Sequence, residues 1–141
     1  MSRAAACAAA LVLLAALAAR CGGDEPFRTI SGGIEPTLAS IHAEVFTPSC
    51  ALAGCHAPPE PQLGQDLSEG AAHASIVEVP SVERPDLLRV APGDAPASYL
   101  FKKITAAPDI LGDRMPLGGA PLSDEAIEAI RVWIESGAPA D

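Results

Sequence analysis

Cys50-Ala51-Leu52-Ala53-Gly54-Cys55-His56 is the stretch on which the reading of this chain turns. Two thiols, the second followed at once by an imidazole, are what covalent attachment of a haem to a polypeptide requires. Each thiol adds to one vinyl group of the macrocycle, and a histidine directly after the second thiol is carried under the ring, where a nitrogen meets the iron. The usual form of the motif is C-x-x-C-H. Here four residues separate the cysteines, so the segment between them has to bulge outward.

An electron-carrying haem needs a second axial ligand, commonly methionine or histidine. Met115 is the only methionine after the initiator, and it lies in Gly112-Asp113-Arg114-Met115-Pro116-Leu117-Gly118-Gly119, a loop-coded run just ahead of the clearest helix in the sequence. The attachment motif, the late Met-Pro in a glycine-rich loop and the closing amphipathic helix together resemble the class I c-type cytochrome domain, in particular its small secreted bacterial members. The resemblance covers residues 36 to about 138. It implies an all-α, cytochrome c-like helical domain with long loops around one haem c. It implies Cys50 and Cys55 as thioether attachment points, His56 as proximal iron ligand and Met115 as distal ligand, in an electron carrier rather than an enzyme.

Rival readings use the same residues. Cys50 and Cys55 can close a small disulfide in an oxidising compartment, which makes His56 a polar neighbour and the chain a haem-free binding or structural module. If Met115 does not bind, the open iron position implies a haem peroxidase or a ligand-binding haem protein. Zinc finds three donors in Cys50, Cys55 and His56 and no evident fourth, unless His73 or an acid is recruited. His73 is also the rival distal ligand, while His42 reads as a solvent-facing histidine on the helix that precedes the motif.

Upstream of the domain, residues 4–19 are uncharged and apolar and follow Arg3, as in a secretory signal. Sixteen such residues are short for a bilayer span, which takes about 20. Cys21 follows Leu17-Ala18-Ala19-Arg20, a pattern similar to a lipoprotein processing site at which the cysteine becomes the acylated first residue. The expectation is therefore a signal at 1–20, a lipid anchor on Cys21, a Gly-rich tether at 21–35 that spans roughly 20 Å, and a domain at 36–141 held at the membrane in the periplasm or at the cell surface.

The whole chain has 9 basic and 18 acidic residues, and removal of Arg3 and Arg20 with the signal leaves a net charge of −11. Such a surface repels phosphate backbones, which argues against nucleic acid and for a redox partner with a basic docking surface. One Trp, one Tyr and three Phe are few for a domain core, and a porphyrin would supply the missing bulk.

Within the domain, Pro36, Leu38, Ile41 and Val45 predict a short helix that runs through Phe46 until Pro48 ends it. Ser68 can cap a second helix through Ala71, Ala72, Ala74, Ile76 and Val77, stopped by Pro80. Residues 81–92 read as irregular, with Leu87, Leu88 and Val90 inward. Pro96 opens a third helix with Leu100, Phe101 and Ile104 inward. Lys102 and Lys103 then fall on the other side and, with Arg84 and Arg89, read as a solvated cationic face that could neutralise propionates. Ser123 caps the last helix, Asp124 to Ser136, whose dry stripe is Ile127, Ile130 and Ile134 with Trp133 beside it. No strand alternation is evident.

Overall fold

A computed structural model of the chain describes residues 33–141. The expected signal at 1–20, Cys21 and all but the last residues of the tether lie outside the described residues. Ile34 and Glu35, assigned to the tether, are already anchored on the domain: Ile34 packs against the core and its N–H donates to Glu125, and the Glu35 N–H donates to Ser40 Oγ.

The domain is mainly helical, in the order α1 (Leu38–Ile41), a π-helical turn (His42–Phe46), α2 (Thr47–Ser49), a 3-10 turn (Gln62–Gly64), α3 (Ala72–Ile76), α4 (Tyr99–Thr105) and α5 (Asp124–Glu135). Extended pairing among the described residues is confined to isolated bridges, such as Val77 with Val90 and Pro80 with Leu88. No helix among them is long and apolar enough to cross a membrane.

Thr37 caps α1 by accepting from the Ser40 N–H. The helix then continues through Pro48 to Ser49, where the sequence predicts a stop. Proline lacks the donor for an i−4 bond and its ring crowds that carbonyl. The π-helical turn immediately before it resolves the conflict by lengthening the hydrogen-bonded ring, so that the Thr47 N–H reaches back to the His42 carbonyl. The Phe46 carbonyl likewise accepts from both Cys50 and Ala51. Helix and motif are thus joined without a break, and Cys50 is the C-cap of α2.

Helix α5 behaves as its pattern predicts. Ser123 accepts from the Ala126 N–H at its start, and Gly137, with φ +103°, follows its end in a conformation that favours glycine. Ile130, Trp133 and Ile134 are fully buried, and each such side chain stabilises the fold by about 1.5–3 kcal/mol. The indole N–H donates to the Pro139 carbonyl and so folds the C-terminal tail back over the helix. On the wet face Arg131 pairs with Glu128 and Glu135. α5 packs against α1 and α4, around a core that also holds Ile41, Val45, Phe46, Leu67, Ile76 and Val90.

Two other expectations are corrected. Pro96 lies in a turn, and α4 begins three residues later at Tyr99, because the Ser98 hydroxyl, fully buried, bonds to Ala91 and Asp94 instead of capping the helix. Lys103 and Arg89 do not belong to a solvated face: they are 7% and 6% exposed. The Lys103 ammonium donates to Glu83 Oε2 (3.0 Å) and to the Leu111 carbonyl (2.7 Å), while the Arg89 guanidinium spends its donors on backbone carbonyls. Arg84 pairs with exposed Asp86.

Candidate haem-attachment site

The motif loop is built on backbone hydrogen bonds. The Cys55 N–H donates to the Leu52 carbonyl, which closes a turn, and the His56 N–H donates to the Cys50 carbonyl at 3.2 Å, which brings the two ends of the seven-residue stretch together. Gly54 makes the turn possible at φ +80°. The residues between the thiols do bulge outward: Ala53 and Gly54 are exposed, and Leu52 is 45% exposed. Cys50 and Cys55 are both free thiols, and they differ in setting. Cys55 is exposed, whereas burial, with Cys55 beside it, pushes the Cys50 thiol up to about 11.

His56 is fixed at three points. Beyond its N–H, its carbonyl accepts from Leu67 N–H at 2.8 Å, and its Nδ1 lies 3.1 Å from the Gln65 carbonyl. A carbonyl can only accept, so Nδ1 carries the proton and the lone pair of the neutral ring sits on Nε2. Burial lowers the pKa of the imidazole, the Gln65 hydrogen bond and the Gln62 main chain oppose this, and the Arg89 and Lys103 cations add to the lowering. The net lowering favours the neutral ring, which is the state that binds metals.

The loop that carries Gln65 is tied to the motif as well. The Gln62 N–H donates to the Cys55 carbonyl at 2.7 Å, and the Gln62 side chain donates to the Gly54 carbonyl.

Met115 hangs from α4. Its N–H donates to the Lys103 carbonyl at 3.0 Å, and its half-buried side chain packs against the same core as Cys50. The loop before it is braced by a cluster that the sequence did not advertise. Tyr99 donates to Glu83 (2.7 Å) and accepts from the Leu111 N–H (3.0 Å), and Lys103 holds both Glu83 and the Leu111 carbonyl. Burial pushes the Glu83 carboxyl up, but the Tyr99 hydroxyl and the Lys103 ammonium outweigh it and hold the group below its ordinary value. Lys103 thus anchors Met115 through its carbonyl, and its charge adds to the lowering at His56.

Large apolar side chains are left open on the same segments. Among the described residues, Leu52, Leu63, Leu111 and Leu117 are each about half exposed or more, with Leu117 at 68%. Apart from Val82 they are the exposed large hydrophobic residues of the domain, and they lie on the loops that carry the motif and the methionine.

The other two histidines have different partners. His73 Nε2 bonds to the Ala138 carbonyl (2.9 Å) and ties α3 to the C-terminal tail. His42 is half-buried and not solvent-facing: its Nδ1 lies 3.3 Å from Thr47 Oγ1, and its Nε2 is shielded from water with no partner, edge-on to Phe46. Both line an open cleft between α1, α3 and the tail, and none of Cys50, Cys55, His56 and Met115 lines it. Among the described residues no group of three or more His, Cys, Asp and Glu is arranged to hold a metal ion.

No protein-family model matches this chain, and no curated protein and no solved structure is significantly similar to it.

Proposed function

We propose that the chain is an exported electron-transfer protein of the class I cytochrome c type, carrying one haem c attached through Cys50 and Cys55 and ligated by His56 and Met115. The observation that carries this reading is the hydrogen bond from His56 Nδ1 to the Gln65 carbonyl, which leaves Nε2 as the free donor of a neutral ring directly after the second thiol. A ligating histidine ordinarily has its other nitrogen held in this way, which fixes both tautomer and ring orientation. The residues fit the group in other respects. The chain offers two free thiols, a half-buried thioether, and open leucines that a porphyrin would cover.

A bound haem supplies a one-electron iron couple, and the work of the protein is to hold it and tune it. Met115 offers a thioether, a ligand type that favours ferrous iron and raises the potential. The buried Arg89 and Lys103 cations act in the same direction, since a low-dielectric interior with positive charge nearby disfavours a further positive charge. The acidic surface favours a cationic partner and makes the encounter rate fall with salt. The apolar run at 4–19 and Cys21 support export and acylation, which would keep the domain at a membrane surface.

Intact mass of the exported full chain tests the proposal. One added porphyrin per chain is expected. Loss of two hydrogens instead would mean that Cys50 and Cys55 form a disulfide and that the electron-carrier reading fails.

A further inference from the structure

Arg89 is a buried cation that no carboxylate offsets among the described residues: no ion pair includes it, and all its side-chain hydrogen bonds go to main-chain oxygens. Burying a guanidinium is costly unless its donors are satisfied, so where those donors point is informative. Nη2 donates to the Leu63 carbonyl at 2.7 Å, and Nη1 to the carbonyls of Gly64 (3.1 Å) and Ser75 (2.7 Å). Leu63 and Gly64 both lie in the left-handed region, at φ 55° and 63°, and for a leucine that conformation is strained. The planar fork of Arg89 accordingly holds a backbone that would relax without it. The next carbonyl along the chain is that of Gln65, the partner of His56 Nδ1. Arg89 is itself held on both sides, its N–H donating to Val79 and its carbonyl accepting from Leu100.

We propose that Arg89 is a positioning residue for His56: by clamping the Leu63 and Gly64 carbonyls to α3 it fixes the Gln65 carbonyl that holds the proton on Nδ1 and leaves Nε2 free. Its consequence for iron rests on the function proposed above, whereas its consequence for the imidazole tautomer does not. A latch that only stabilised the fold would lower stability without moving the proton between the two ring nitrogens. A purely electrostatic role would survive in Arg89→Lys, which keeps the charge but presents a point donor in place of a fork.

The test uses the full chain prepared without haem, with the His56 tautomer read from nitrogen–proton correlations of the imidazole, and the same variants after haem loading. In the parent protein His56 should be a single tautomer protonated on Nδ1. In Arg89→Lys and Arg89→Gln that pattern should give way to a mixture with Nε2 protonated, and loaded Arg89→Lys, which keeps the charge, should show a raised reduction potential, because an imidazole without its Nδ1 hydrogen bond is a poorer donor to ferric iron. A parent His56 protonated on Nε2 would overturn the proposal, and so would any folded variant that keeps the parent's single tautomer. Colourless protein after maturation would remove the haem reading and leave the tautomer result standing.

Discussion

His56 and Met115 are held in different ways. His56 is bonded through its N–H, its carbonyl and its ring, and the loop behind it is pinned by a buried guanidinium. Met115 is held by one backbone bond to Lys103 and by packing, in a loop braced further back at Leu111. The motif side is thus ordered by bonds within residues 50–67 with the Arg89 fork behind them, whereas the methionine side depends on a polar cluster borrowed from Glu83 and Tyr99. Disturbance should reach the methionine first.

The largest effect that would sharpen this contrast is His56→Ala. Removal of the residue around which the motif closes should abolish haem incorporation, measured as haem per chain after expression with maturation machinery. Met115→Ala should leave haem attached but convert the iron to high spin and lower its potential, seen in the optical spectrum and by redox titration. Equal haem loss in the two variants would break the comparison.

Next in size is Tyr99→Phe, which strands the Leu111 N–H and removes a donor to Glu83. Losing a partly buried hydrogen bond costs about 0.5–1.5 kcal/mol, to be read as a lower urea midpoint with an unchanged slope. Loss of amide protection should be confined to residues near 107–115. Acid should act on the same side. Because the folded Glu83 carboxyl sits below its ordinary value of 4.5, its contribution is fully present above that pH and is lost as pH falls through the depressed value. Urea midpoints measured from pH 6 downward should show the loss, and Glu83→Gln should flatten that part of the profile. The smallest effect is expected at Arg131→Ala, on the exposed face of α5, where surface pairs are worth about 0.5 kcal/mol or less.

What could be read from the sequence divides along physical lines. α5 was legible because its cap, first-turn acids, apolar stripe and terminal glycine all point to the same element. The outward bulge between Cys50 and Cys55 followed from spacing alone. The passage of the helix through Pro48 was not legible, since a proline signals a stop and nothing in the residues announces a π-helical turn that relieves it. The burial of Arg89 and Lys103 was invisible for a different reason. Their main partners are backbone carbonyls at Leu63, Gly64, Ser75 and Leu111, which every residue possesses and no pattern distinguishes. The Gln65 carbonyl opposite His56 escaped for the same reason. His42 turns towards Thr47 and Phe46, one turn on, a contact that the apolar spacing of the helix does not announce.

The central claim is tested most directly by the optical spectrum of the full chain, exported by a host that matures c-type cytochromes and then extracted with acidic acetone. A sharp reduced spectrum of c type that stays with the polypeptide after extraction is the predicted result. Colourless protein, or colour that leaves with the solvent, would contradict covalent attachment at Cys50 and Cys55.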